Sequence, residues 1–370
     1  MIPVFRPSMG KEEFDAVKEV LESGWIGLGP KTKEFEERFA GYIGVKYASA
    51  MNSCSAALHL AIDALGIHSG EVISPSLTFV STNHAILYNG AMPVFADVLE
   101  DTLTIDPDDI KRKMTKKTKA IMAMHYGGHP CDMAAIRQIA DKNGILVIED
   151  AAHAMGGSYG SKKVGSIGDA ACFSFHAVKN LATGEGGMVT TNDKNVHDRL
   201  LKSRWLGITR DTWQRSDNAK YSWYYEVEFL GYKYHMSDIN AAIGIAQLKK
   251  IDAMNKKREG ISMRYNEAFK GLDWLKTPTV KAGVRCAHHN YVVKVKERDR
   301  FIEYLKKNGI SSSVHYIPNH HYDIYKKCRA NVPVTERVWK QIVTLPLFPD
   351  LKDSEIDHII DTVKGFERLL

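Results

Sequence analysis

Ile145-Leu146-Val147-Ile148-Glu149-Asp150 and, further on, Ala170-Ala171-Cys172-Phe173-Ser174-Phe175 decide how this chain is read. Both are short apolar runs of strand length, and neither shows the alternation of a half-exposed strand. Such runs belong to strands covered on both faces. The first ends in two acids. The second leads to Lys179, which Gly184, Gly186 and Gly187 follow closely. Upstream the pattern repeats: strand 45–50, helix 55–65, strand 71–74, helix 79–88, strands 93–96 and 120–124, helix 133–143. This alternation predicts a mostly parallel sheet with helices on both faces, where ligands sit outside the carboxyl ends of the strands. Ahead of it, residues 10–22 (GKEEFDAVKEVLE) carry Phe14, Val17, Val20 and Leu21 on one helical face until Ser23-Gly24 ends the helix. A second helix runs from the turn at 26–30 to about residue 41.

The pattern changes near residue 235. A helix over 237–270 places Ile239, Ala242, Ile243, Ile245, Ala246 and Leu248 at core spacing, and it is long enough to bridge two domains. Strand 289–295, helix 299–308, strand 310–314 and helix 354–369 then make a smaller α+β unit. The expected division is 1–248 for the large domain, N-terminal helices included, and 249–370 for the small one. Between them, 209–228 holds Trp213, Tyr221, Trp223, Tyr224 and Tyr225 without clear period. It reads as a long excursion, suited either to function or to packing on a partner subunit.

Composition permits an enzyme without singling one out. The 370 residues are 44% hydrophobic and 25% charged, enough for a large core. The net charge of +6 suits an anionic ligand but is spread along the chain. Its densest run, KRKMTKKTK at 111–119, has no interleaved aromatics and reads as a solvated helix and turn, not a nucleic-acid site. Five cysteines, Cys54, Cys131, Cys172, Cys286 and Cys328, form no CxxC pair, which points to a reduced protein with no structural zinc. No apolar stretch reaches membrane-spanning length, and MIPVFRPSMGKEEF lacks a signal-peptide core. A cytoplasmic protein, with neither membrane nor nucleic acid as partner, is expected.

The acids and the amine match the needs of pyridoxal phosphate chemistry. A lysine condenses with an aldehyde only when unprotonated, and burial supplies that by lowering its pKa. Lys179 lies just past a buried strand, ahead of a glycine cluster that lets backbone approach a ligand. Asp150 emerges at the sheet's carboxyl edge, where a carboxylate can keep a pyridine nitrogen protonated and make the ring an electron sink. Its neighbour Glu149 is assigned the ordinary role of the pair. His153 is a candidate for the ring or its phenolic oxygen. Asn52-Ser53-Cys54-Ser55 passes from strand to helix and offers hydroxyls and free N–H groups for a phosphate. Ser174 can add a hydroxyl from the facing strand, and Phe79 can stack on the ring.

These residues sit in segments that resemble the DegT/DnrJ/EryC1/StrS family of pyridoxal-phosphate sugar aminotransferases, which have the aspartate-aminotransferase fold (fold type I). The matching stretches are SGWIGLGPKTKEFEERFA (23–40), NSCSAALHLA (52–61), SPSLTFVST (74–82), the run from Ile148 to Val189, LGYKYHMSDINAAIGIAQL (230–248), VHYIP (314–318) and LPLFPDL (345–351). The resemblance implies that Lys179 is joined to the cofactor and moves protons between cofactor and substrate. It implies that Asp150 pairs with the pyridine nitrogen, that His153 lies against the ring oxygen, that Cys54, Ser55 and Ser174 hold the phosphate, and that Phe79 covers the ring. Many relatives have Gly-Thr at Cys54-Ser55, a change that keeps the backbone donors and a hydroxyl. Many have asparagine at Lys233, a position that typically reaches the neighbouring subunit's phosphate; a lysine can do so as a point charge. A homodimer with shared active sites follows from the same resemblance.

One branch of the family has histidine in place of this lysine and dehydrates its sugar. Retention of Lys179 selects amino transfer, from glutamate (glutamine second) through pyridoxamine phosphate to a nucleotide-linked keto sugar bound for surface polysaccharide, O-antigen lipopolysaccharide included, or a glycosylated metabolite. The alternatives are lyase chemistry on the same cofactor and a noncatalytic regulatory protein on the same scaffold. His315, His320, Lys233 and Arg210 are candidates to meet the sugar's diphosphate. Trp25 and His176 are candidates to shape its pocket.

Overall fold

Strand-length apolar runs and amphipathic helices alternate along the first half of the chain as α1 (Lys11–Ser23), α2 (Pro30–Ile43), β1 (Tyr47–Met51), α3 (Cys54–Ala64), β2 (Glu71–Pro75), α4 (Val80–Tyr88), β3 (Met92–Ala96), α5 (Pro107–Lys113), β4 (Thr118–Met124), α6 (Met133–Asn143) and β5 (Leu146–Asp150). Two-residue strands β6 (Ser158–Tyr159) and β7 (Lys162–Lys163), then β8 (Ala170–Ser174), β9 (Gly187–Thr191) and α7 (Lys194–Ser203) follow. The structure, a computed structural model, describes residues 1–209 and 225–369. Arg210, Trp213, Tyr221, Trp223 and Tyr224 of the aromatic excursion lie outside the described residues.

The seven main strands form one sheet in the order β1-β9-β8-β5-β4-β2-β3. Six of the strands run in one direction, and β9 alone is antiparallel, to both β1 and β8. Every residue of β8 and β9 is buried, which explains their unbroken apolar pattern. One face of the sheet packs Phe35, Phe39, Phe173 and Phe175 with the first turns of the long helix α8 (Asp238–Ala268). The other buries Leu58, Ile62, Ile86, Ile148 and Val189. Asp238, at the start of α8, caps α2: its carboxylate accepts from the N–H groups of Lys31 (3.0 Å) and Thr32 (2.9 Å) and from the Thr32 hydroxyl (2.7 Å). The 23–40 and 230–248 segments are thereby one structural unit, although some 200 residues of chain separate them.

At about 1.5 Å per residue α8 runs for about 46 Å. Its Ile251 and Met254 still pack with the large sheet, whereas Ile261 and Tyr265 pack with the C-terminal elements. Those are β10 (Leu275–Lys276), β11 (Val284–Arg285), β12 (Tyr291–Val295), α9 (Arg298–Lys307), α10 (Pro333–Val338), β13 (Ile342–Leu345) and α11 (Asp353–Gly365). The small sheet is β10-β12-β13, antiparallel throughout. The expected strand over 310–314 is not formed: Ile310 and Ser313 make only isolated bridges, to Ile2 and Thr344. The central strand's partner is β13 instead, whose Ile-Val-Thr-Leu run is short and follows directly on α10. The first residues of the chain also lie on this C-terminal unit, with Ile2 N–H bonded to Gly309 O and Leu347 N–H to Val4 O.

Candidate active site

Strand register brings the candidate residues together. Ser174 pairs with Gly187 across β8 and β9, and Gly187 pairs with Met51 across β9 and β1. The end of β8 therefore stands one strand away from the turn that starts α3. Gly187 is required there, because a Cβ would meet Ser53 O at 2.4 Å and Cys54 N at 2.7 Å. Ser53 caps α3 by accepting from Ala56 N–H (3.1 Å), and Ala57 N–H bonds Ser53 O (3.0 Å). The N–H groups of Cys54 and Ser55 precede the first intrahelical bond and have no acceptor among the described residues. Positive helix-end charge and two unused donors thus face the Ser174 hydroxyl, the composition of an anion site.

On the strand next to β8, Asp150 closes β5, nearly fully buried. Its carboxylate accepts from the Thr82 hydroxyl (2.7 Å) and from Ala152 N–H (3.1 Å). Thr82 spends its proton on Asp150, so Thr78 donates the bond at 2.7 Å between the two threonines. Burial raises the pKa of Asp150 above the usual carboxylate value, outweighing these bonds and the positive charge of Lys179. A cationic partner would relieve that penalty.

Lys179 follows β8 on a turn closed by its own N–H to His176 O (2.9 Å). The next residue anchors it: Asn180 donates to Asn255 Oδ1 of α8 (2.8 Å) and to Ala287 O (2.7 Å), and its carbonyl accepts from His289 Nδ1 (3.0 Å). The amine itself has no hydrogen-bond or ion-pair partner among the described residues. Burial lowers its pKa to about 8, against the opposite pull of Cys54 and Asp150. At pH 7 such a group is uncharged about one time in ten, against roughly one in 2,500 for an ordinary lysine. Cys54, raised well above its usual pKa by burial and then by Asp150, remains a thiol.

His153 is buried beside this amine. Burial, then the charges of Lys179 and His315, push its pKa well below the usual value, so the ring is neutral. Gly127 N–H can only donate, at 3.4 Å to Nδ1; the ring proton therefore sits on Nε2 and goes to the Tyr316 hydroxyl at 2.9 Å. That leaves the Tyr316 proton free to point into the site, and Tyr316 in turn lies 5.8 Å from the exposed ring of Phe79. Thr82, Asn180, His289 and Tyr316 are the participants that sequence reading missed. Thr82 and Tyr316 stand inside the quoted 74–82 and 314–318 segments, but nothing in their spacing aims them at Asp150 and His153.

Of the remaining candidates, His315 still feels the charge of Lys179, and the others separate from this group. Glu149, fully buried, accepts from the N–H groups of Gly165 (3.0 Å), Ile167 (2.9 Å) and Gly168 (2.7 Å) and pairs with His125 at 3.0 Å. It organises the turn before β8 and has no valence left for a ligand. Lys233 lies beside the anion site only through its backbone, its carbonyl accepting from Asn52 Nδ2 (3.3 Å); its amine lies 3.5 Å over the Trp205 ring. His315 bonds Thr344 Oγ1 (2.8 Å), His320 is engaged by Ser76 and Glu336, and Trp25 donates to Leu28 O (2.9 Å). His176 is exposed, 3.7 Å from Glu185.

Residues 7–364 match the DegT/DnrJ/EryC1/StrS aminotransferase family. The chain belongs to that family. It is 46% identical over 376 residues to the spore coat polysaccharide biosynthesis protein SpsC of Bacillus subtilis, covering 98% of this chain and 96% of that one. Among solved structures, the aminotransferase TlmJ from Streptoalloteichus hindustanus superimposes with a TM-score of 0.94 at 34% identity, each chain covered completely. The putative sugar aminotransferase Spr1654 from Streptococcus pneumoniae, in its PMP form, gives 0.94 at 32% identity over the whole of both chains; the same protein is known in a PLP form. The fold is that of type I pyridoxal-phosphate enzymes, and this family member is a sugar aminotransferase that uses pyridoxal phosphate, an amino donor and a sugar substrate. Among the described residues no helix is long and apolar enough to cross a membrane.

Proposed function

We propose that this aminotransferase moves an amino group from glutamate to a nucleotide-linked keto sugar on the way to a surface polysaccharide, as a cytoplasmic homodimer. The observation that carries the reading is the unpartnered amine of Lys179, with a pKa near 8, between a helix-end anion site and a buried acid. The polysaccharide context is supported by SpsC, whose name places it in spore coat polysaccharide biosynthesis. Pyridoxal phosphate, when bound, supplies an electron sink that acidifies the substrate carbon next to nitrogen.

The residues present fit that group. The free N–H groups of Cys54 and Ser55 and the hydroxyls of Ser55 and Ser174 hold the phosphate. Asp150 would keep the pyridine nitrogen protonated, and the pair would regain what the burial of the lone carboxylate costs. His153, neutral and oriented by Gly127, would hold the oxygen-bearing edge together with Tyr316, and Phe79 would cover one face. Lys179 would hold the cofactor between turnovers; its freed amine would take the proton from the donor carbon next to nitrogen in one half-reaction and deliver one to the acceptor carbon in the other. Lys233 is assigned to the neighbouring subunit's phosphate, a reading supported by an amine that lies over the Trp205 ring and is bonded to no phosphate-site residue among those described. We assign 1–248 to the cofactor-binding unit and 249–370 to the smaller one, a division supported by separate cores at the two ends of α8, with Ile251 and Met254 still on the large core and Ile2 on the small one.

The test is the cofactor-loaded protein in its pyridoxamine form, mixed with a panel of nucleotide-linked keto sugars, with the amino product identified by mass and NMR. Conversion of at least one sugar, and regeneration by glutamate in preference to glutamine, is expected. Return of the pyridoxal form by glutamate with no keto sugar converted would remove the substrate class while leaving the aminotransferase intact.

A further inference from the structure

Away from the Lys179 site, His320, His321 and Glu336 bring three ligand atoms within 4.8 Å of one another, the one such group among the described residues. The two histidines stand on the short 3₁₀ turn Asn319–His321, and Glu336 projects from the first turn of α10. Nε2 of His320 and Nε2 of His321 both lie 2.6 Å from the same carboxylate oxygen, Glu336 Oε1. Every other polar atom of the cluster that has a partner is held from outside it. His320 Nδ1 meets Ser76 Oγ at 3.0 Å, and Trp339 Nε1 donates to Glu336 Oε2 at 3.3 Å. The His321 ring packs edge-on against Trp339, and the two imidazoles cross at 80° with centroids 4.6 Å apart.

We propose that His320, His321 and Glu336 form a binding site for one divalent transition-metal ion of the zinc type. Two imidazoles and one carboxylate oxygen suit zinc, cobalt or nickel, and disfavour magnesium and calcium, which prefer oxygen throughout. A bond from Nδ1 to a hydroxyl on one ligand and from indole to the far oxygen of another is the orienting arrangement that metal ligands receive. With ligands at about 2.0–2.2 Å in a tetrahedron, ligand atoms stand about 3.4 Å apart. Glu336 must therefore draw back by less than about 1 Å, and its side chain is 38% exposed and free to do so. His321 is also partly exposed, which leaves the fourth position to water. The cysteine pattern predicts a protein without structural zinc; a site of two imidazoles and a carboxylate departs from that expectation by using no thiolate.

The ion would be a staple. It joins the 319–321 turn to α10, and through Ser76 to the segment that leaves β2 and carries Phe79. Asn319 extends the same link, donating to Thr78 O and accepting from Asn83. This inference does not depend on the sugar or the amino donor.

The experiment is equilibrium dialysis and visible difference spectroscopy of chelator-treated holoenzyme titrated with cobalt(II) chloride, then with zinc chloride. A single saturable equivalent of cobalt with tetrahedral d–d bands, displaced by zinc and accompanied by a higher thermal midpoint, is expected. His321→Ala and Glu336→Gln should each abolish the bands, and Ser76→Ala should weaken binding about ten-fold. The cofactor's own visible band reports that each variant is folded. Absence of saturable cobalt binding, or binding that His321→Ala and Glu336→Gln leave unchanged, overturns the proposal.

Discussion

Glu149 and Asp150 are neighbours on one strand, both fully or nearly fully buried, and they serve opposite regions of the molecule. On the Glu149 side, three backbone N–H groups and His125 satisfy the carboxylate and, despite burial, hold its pKa below the usual value. On the Asp150 side, a hydroxyl and one N–H leave the pKa raised. A charge whose partners are all in the protein builds the fold, whereas one left under-compensated is kept for a ligand. The alternation of side chains along a strand separates these two jobs by one residue.

The sharpest way to break this contrast starts with the third member of the site. Lys179→Ala should lower amino transfer by about 10⁴-fold, the full value of a positioned proton-transfer group. It should also remove the visible band of the lysine-linked cofactor, while circular dichroism stays unchanged. A variant that retained that band would refute the assignment of Lys179. Exchange within the acid pair comes next. Asp150→Asn should cost about 10²–10³-fold in kcat while leaving the cofactor-free protein as stable as before, since an under-paired buried charge is removed. Glu149→Gln should do the reverse. Its amide presents N–H groups to backbone N–H groups, and about 3 kcal/mol of stability should be lost in urea titrations, as for other broken buried charge clusters. If Glu149→Gln proved stable but inactive, the division of labour along β5 would be wrong.

Much of this site was legible in the sequence because strand ends are where apolar runs stop. Asp150, Lys179 and Ser174 could be placed from the runs at 145–148 and 170–175 alone, and the 52–55 turn from the change of period at α3. Thr82, Asn180, His289 and Tyr316 could not, because each acts through a contact between segments distant in the chain. Asn180 is tied to Asn255 and Ala287, and Tyr316 reaches His153 across 163 positions. The C-terminal sheet was misread for a related reason. Ile310 to Val314 has strand composition, yet its pairing partners, Ile2 and Thr344, permit only single bridges.

A pH titration sharpens the comparison further. His153 and His289 are held well below their ordinary pKa by burial and by neighbouring charge, and burial with Lys179 lowers His315 to about 4. Between about pH 6.5 and pH 4 the unfolded chain therefore binds more protons than the folded one, and stability rises with pH over that window. Urea midpoints of the cofactor-free protein should fall as the pH is lowered from 6.5 toward 4, and His315→Gln should flatten part of that slope. Glu149, held below the usual carboxylate value, reinforces this trend only at its acid end, where Asp150, raised by burial, opposes it. A flat profile between pH 6.5 and 4 would mean that these rings charge freely in the folded state.

The smallest expected effect is at the anion site. Ser174→Ala removes one hydroxyl and leaves the N–H groups of Cys54 and Ser55, the helix end and Gly187 in place. A hydrogen bond to a charged group contributes about 1.5 kcal/mol, so the cofactor should bind about ten-fold more weakly in a fluorescence titration, with kcat at saturating cofactor nearly unchanged. Gly187→Ala tests the same site through the backbone: its Cβ would meet Ser53 O at 2.4 Å and push the start of α3 away from β9. Cofactor affinity should therefore fall further in Gly187→Ala than in Ser174→Ala, although no polar atom is removed. Equal losses would show that the hydroxyl, and not the seating of α3 against the sheet, sets the affinity of this end of the site.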